Sequence, residues 1–68
     1  MDKWYKYQDR IINLSVFDNL KLTEVMISGK PTYEIIFCLN GQTKDWFKYS
    51  SLEEAQQELE KIYNILSN

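Results

Sequence analysis

The stretch from Ser51 to Leu66 constrains this chain more than any other, because it carries the one clear helical pattern. Leu52, Ala55, Leu59, Ile62, Tyr63 and Leu66 recur at the spacing of a single helical face, and the positions between them are mostly Glu, Gln, Lys and Asn. Ser51 and Glu54 have the spacing of a capping box, in which the hydroxyl accepts from the amide of residue 54 and the carboxylate reaches back to the amide of residue 51. Glu53 and Glu54 place negative charge at the positive end of the helix dipole. Such a helix is about 24 Å long. Burying its apolar face is worth about 10 kcal/mol before chain entropy is subtracted. It needs a surface to cover, and the first fifty residues must supply it. The pattern predicts a helix over about 52-66 acting as the lid of a sheet.

The residues before it read as strands. Trp4 to Tyr7 is aromatic and strand-prone, Gln8-Asp9 is a tight turn, and Arg10 to Leu14 completes a first hairpin. Ser15 to Asn19 reads as a loop or one short helical turn that tucks Val16 or Phe17 inward. Leu20 to Ile27 is a third strand. Ser28 to Pro31 is a turn, since Pro31 cannot donate to a ladder. Thr32 to Leu39 alternates most cleanly, Asn40-Gly41 is a strong hairpin signal, and Thr43 to Tyr49 runs directly into the helix cap. The predicted strands are about 3-7, 10-14, 20-27, 32-39 and 43-49. Short turns between consecutive strands make an antiparallel meander. The expected fold is therefore α+β: a four- to five-stranded antiparallel meander in a single domain, 1-68, with one C-terminal helix on one face.

The loop at Asn40-Gly41 decides which rings share a face. A two-residue turn pairs Ile35 with Trp46. A three-residue loop with Gly41 as a bulge pairs Tyr33 with Phe47 instead, and a one-residue slip exchanges the faces. The bulged loop is the better reading, because it gathers Tyr33, Ile35, Phe37, Phe47 and Tyr49 under the helix and leaves Trp46 with Ile36 and Cys38 opposite. Either register leaves large apolar groups on a face that one helix cannot cover. An aromatic patch of that kind marks a contact surface, with Trp4, Tyr7, Ile36, Cys38 and Trp46 as its candidates. Three outcomes are open: the N-terminal hairpin folds over these residues, a second copy covers them in a homodimer, or another protein does.

Composition removes several function classes. Sixty-eight residues make one small domain of marginal stability. There is no histidine, and Cys38 is the only cysteine, so neither an internal disulfide nor a standard zinc site is available. The polar start Met1-Asp2-Lys3-Trp4 predicts no secretory signal, and no apolar run is long enough to span a bilayer. A reducing, cytoplasmic setting is expected. The net charge of −2 is divided between a near-neutral strand region and an acidic helix, which argues against a general nucleic-acid binder.

One internal echo stands out. Trp4-Tyr5-Lys6-Tyr7 and Trp46-Phe47-Lys48-Tyr49 share the order Trp-aromatic-Lys-Tyr. Rings beside Lys3, Lys6, Arg10, Lys44 and Lys48 are what single-stranded nucleic acid or a nucleotide requires, but Asp2, Asp9 and Asp45 interrupt the cations, and good strand residues explain the pattern as well. Glu53, Glu54, Glu58 and Glu60 read as a solvated helix surface. Cys38 has no histidine to activate it and reads as a small apolar side chain. No catalytic set, metal site or cofactor motif emerges, and the chain reads as a non-enzyme.

Ile12-Asn13-Leu14-Ser15 after a hairpin, the alternating strand into Asn40-Gly41, and the helix start Ser51-Leu52-Glu53-Glu54-Ala55 together make the chain resemble the short stand-alone strands-then-helix proteins of bacterial and phage genomes. The resemblance implies the strands-then-helix fold. Some small acidic phage proteins of this kind block host defence by binding a protein or a signalling nucleotide. The primary expectation is an interaction module that self-associates or binds a protein partner through the sheet face opposite the helix. The alternative is a binder of single-stranded nucleic acid or a nucleotide signal.

Overall fold

The computed structural model describes residues 3–68. Strands β1 (Trp4–Tyr7) and β2 (Arg10–Asn13) form a hairpin, and a 3-10 turn follows at Leu14–Val16. Strands β3 (Asn19–Ile27), β4 (Lys30–Leu39) and β5 (Gln42–Tyr49) form an antiparallel sheet in the order β3-β4-β5, and helix α1 (Leu52–Ser67) closes the chain. Among the described residues the fold is α+β, as expected, with five strands and one C-terminal helix. The strands do not join one meander: β1-β2 is a separate two-stranded sheet. The separation has a physical cause. The hairpin turns Tyr5 and Leu14 into the core, and both are almost fully buried, with Tyr7 and Ile12 packed beside them. A strand added to the edge of the larger sheet would have carried those rings away from the helix.

Two of the turns hold both central residues at positive φ, the twist that suits two-residue hairpin loops: Ser28-Gly29 at 52° and 77°, and Asn40-Gly41 at 55° and 79°. The first turn is shorter than expected. Lys30 and Pro31 belong to β4, and Pro31 lies opposite Met26. A two-residue loop makes Ile27 and Lys30 a hydrogen-bonded pair, so the next pair bonds nothing between these strands, and a missing N–H costs nothing there.

The β4–β5 register differs from both expected forms. Leu39 pairs with Gln42 across a two-residue turn, but Cys38 pairs with Thr43 and Phe37 with Asp45, so the extra residue, Lys44, sits inside β5. Ile35 then pairs with Phe47 and Tyr33 with Tyr49. Moving the extra residue from loop to strand shifts the pairing by two, and a shift of two preserves the faces. Ile35, Phe37, Phe47 and Tyr49 accordingly share the buried face, and Ile36 and Trp46 the other.

At the helix start, the Ser51 hydroxyl accepts from the Glu54 amide at 3.1 Å. The Glu54 carboxylate accepts from the Ser50 amide at 3.1 Å and the Ser50 hydroxyl at 3.2 Å, one residue before the expected partner. The buried helical residues are Ala55, Glu58 and Ile62. Tyr63 is 66% exposed, and Leu52 and Leu66 are exposed too, so the stripe that meets the core is rotated from the apolar face that spacing predicts. No helix among the described residues is long and apolar enough to cross a membrane. Ile62→Ala is expected to cost about 2–5 kcal/mol by leaving a cavity. Ile11→Ala, on the hairpin's exposed side, should change stability by about 0.5 kcal/mol or less; urea denaturation of both variants checks the contrast.

Candidate functional site

The echoed motifs meet. In both, alternation sends the second and fourth side chains inward and the first and third outward: Tyr5, Phe47 and Tyr49 are buried and Tyr7 half-buried, while Trp4, Lys6, Trp46 and Lys48 are exposed. The Tyr5 and Phe47 rings lie 5.4 Å apart, and Tyr7 meets Tyr49 edge-on at 4.7 Å. The Tyr5 hydroxyl donates to Glu58 Oε1 at 2.9 Å and lies 3.0 Å from the Tyr49 hydroxyl. Tyr5 has one proton and gives it to the carboxylate, so Tyr49 donates to the Tyr5 oxygen. The other Glu58 oxygen accepts from Lys61 at 2.9 Å. Glu58, expected on the solvent face, is thus a buried acceptor. Its signal in the sequence was its place in the row Ala55, Glu58, Ile62, Ile65, which has heptad spacing.

This network is a closed structural lock. Burial, reinforced by the hydrogen bond donated to Glu58, pushes the Tyr5 hydroxyl far above the usual phenol range. Burial, reinforced by the Glu58 charge, pushes Tyr49 up to about 12. Tyr7 is raised by burial and by donating to Glu54 Oε2 at 2.9 Å. The Glu54 carboxyl is held below its usual range, first by the Ser50 amide and then by Tyr7.

The sequence-derived candidates divide. Tyr7 faces the core and Cys38 is buried, so neither belongs to an open surface: Tyr7 follows Tyr5 inward by alternation, and Cys38 lies shielded in the central strand. Ile36 and Trp46 are direct partners on the sheet's outer face, Ile36 half-buried and Trp46 47% exposed. Lys21 completes that row from β3, and Thr23, Glu34 and Lys48 form the next. Trp4 is exposed on the hairpin's outer side, apart from them. Lys21 and Thr23 were not singled out from sequence, because which β3 residues join this face depends on the register with β4.

The basic candidates do not converge. Lys3 Nζ donates to the carbonyls of Ile65, Leu66 and Asn68 at the helix C-terminus. Arg10 donates to both Asp45 oxygens at 2.8 and 2.7 Å and to the Trp46 carbonyl at 3.1 Å, with its guanidinium 4.4 Å from the Phe47 ring centre. Lys44 donates to Gln42 at 3.1 Å. Lys6 and Lys48 are exposed on different layers. A depression of about 440 Å³ at the end of the sheet is lined by Tyr7, Lys30, Lys48 and Glu54, but Tyr7 and Ser50 already satisfy the carboxylate.

Comparison with protein-family models, with curated proteins and with solved structures finds no match.

The raised phenols set an alkaline limit. Each stays protonated in the folded chain at a pH where the unfolded chain ionises, so the unfolded state binds fewer protons and stability falls as pH rises. For Tyr49 the loss begins near the ordinary phenol value of 10.0 and continues to about 12. The urea midpoint should hold steady from neutral pH to the onset of phenol ionisation and then fall. Tyr5→Phe should cost about 1–3 kcal/mol at neutral pH by removing the donor to Glu58 Oε1 and should flatten the alkaline fall.

Proposed function

We propose that the protein is a small, non-enzymatic interaction module that binds a protein partner through the outer face of its three-stranded sheet. The observation that carries this reading is that the hairpin and the helix cover the same face. Tyr5 and Tyr7 from the hairpin and Ala55, Glu58 and Ile62 from the helix all meet the side that holds Phe47 and Tyr49. The other side keeps Trp46 and Ile36 at its middle, rimmed by Lys21, Thr23, Glu34 and Lys48. An exposed tryptophan beside a branched apolar side chain, with a polar rim, is the anatomy of a binding hot spot. The dispersal of Lys3, Arg10 and Lys44 into internal contacts favours this reading over nucleic-acid binding. Buried Cys38 and the absence of histidine favour binding over catalysis and fit a cytoplasmic setting.

Affinity capture with wild type, Trp46→Ala and Ile36→Asp tests the reading. A partner held by wild type should be lost, with at least about a tenfold drop in affinity, in both variants. Their circular dichroism and urea midpoints should stay close to wild type. Equal capture by all three would refute the assignment of this face.

A further inference from the structure

The two edges of the main sheet are treated differently. The free edge of β5 is broken by the extra residue at Lys44, and Arg10 reaches over it to the Trp46 carbonyl and the Asp45 carboxylate. Such interruptions keep a strand edge from recruiting another. The β3 edge has neither. Its register with β4 is unbroken from Asn19 to Ile27, and β3 contains no proline. Counting from the hydrogen-bonded pair at the Ser28-Gly29 turn, Lys21, Thr23 and Val25 bond β4, while Leu20, Leu22, Glu24 and Met26 point their backbone N–H and C=O groups outward.

The helix leaves apolar surface beside that edge. Leu52, Leu59, Tyr63 and Leu66 fall within about 60° of the helical circumference at 100° per residue. They flank the row that meets the core. Leu59, Tyr63 and Leu66 join Leu20 and Leu22 in an almost wholly apolar groove of about 290 Å³ along β3. We propose that this edge and groove are the seat of a second copy of the same chain, joined by antiparallel β3–β3 pairing about a two-fold axis into a six-stranded sheet with both helices on one face.

Self-pairing satisfies the strip on three counts. A two-fold axis perpendicular to the sheet sets residues of equal parity opposite each other. Among registers that pair at least five residues, centring it on Lys21 or on Glu24 opposes like charges, whereas centring it on Leu22, Thr23 or Val25 opposes none, so three registers survive. Each helix contacts β4 and β5 of its own sheet, and the four strand spacings between those positions in the two copies separate the helices by roughly 19 Å. Tyr63 and Leu66 from both sides face that gap above Leu20 and Leu22. A standard interface takes about 800 Å² from each partner, a sixth of the 4843 Å² exposed here. The β3 edge runs about 30 Å, and with the helical stripe above it forms one continuous strip of that scale. The surface is separate from the Trp46 face, and pairing leaves that face open on the same side of both copies.

Sedimentation equilibrium of the full chain tests the dimer. Wild type should dimerise at micromolar concentration. Tyr63→Lys, at a position 66% exposed in the single chain, should weaken the dimer by about tenfold or more with an unchanged monomer fold. Glu24→Pro removes an outward N–H that the β3–β4 ladder does not use, and should have the same effect; if it unfolds the chain, Tyr63→Lys decides alone. Trp46→Ala should leave the dimer intact while removing partner capture, which keeps failure of the two assignments distinguishable. A wild-type monomer at high micromolar concentration, a dimer indifferent to Tyr63→Lys, or one dissolved by Trp46→Ala would each overturn the proposal.

Discussion

The hydrogen-bonded contact of Tyr5 with Glu58 and Tyr49 organises the rest of the molecule. It ties three elements distant in sequence: the first strand, the last strand and the middle of the helix. A carboxylate withdrawn from water demands partners, and the Tyr5 phenol and Lys61 satisfy it. Because Tyr5 comes from the hairpin and is itself bonded by Tyr49 of β5, the hairpin must lie beside the helix over one face of the sheet. That requirement sets the hairpin apart as its own two-stranded sheet. Around the polar centre, the rings of Tyr5, Tyr7, Phe37 and Phe47 pack in tilted and edge-on pairs.

The exposed surfaces follow from this arrangement. With hairpin and helix on the same side, the outer sheet face keeps Trp46 exposed, with Ile36 half-buried beside it. With Glu58 turned inward, the helix cannot also bury Leu59, Tyr63 and Leu66 fully, and part of its apolar face is displaced toward β3. A domain this small has too few elements to enclose both sides of its sheet. Its uncovered areas are consequences of how its polar centre is satisfied, and they lie on two distinct sides of the molecule.

Arg10 shows how one residue changes meaning once its neighbours are known. Read along the chain it is a cation near aromatic residues. In the fold it bonds the Asp45 carboxylate, covers the Phe47 ring and holds a β5 carbonyl. It protects one sheet edge, and that protection makes the open β3 edge distinctive. Lys3 likewise becomes a cap for the helix C-terminus, where a cation complements the carbonyl end of the dipole.

Local chemistry was enough to place the elements. Alternation marked the strands, Asn40-Gly41 and the turn expected over Ser28 to Pro31 marked two hairpins, and Ser51 with Glu54 marked the helix start, because each depends on residues within a few positions of one another. The side-chain period of two even brought Phe47 and Tyr49 to the correct face although the position of the extra residue was misplaced. Tertiary structure alone decided that Glu58 is buried, that the hairpin leaves the sheet, that Tyr7 and Cys38 are withdrawn from the surface, and that one edge is guarded and the other bare. The burial of Glu58 and the guarding of the β5 edge depend on contacts between residues 53 and 35 positions apart, Tyr5 with Glu58 and Arg10 with Asp45. No local pattern encodes which of several aromatic hydroxyls a helical carboxylate will find.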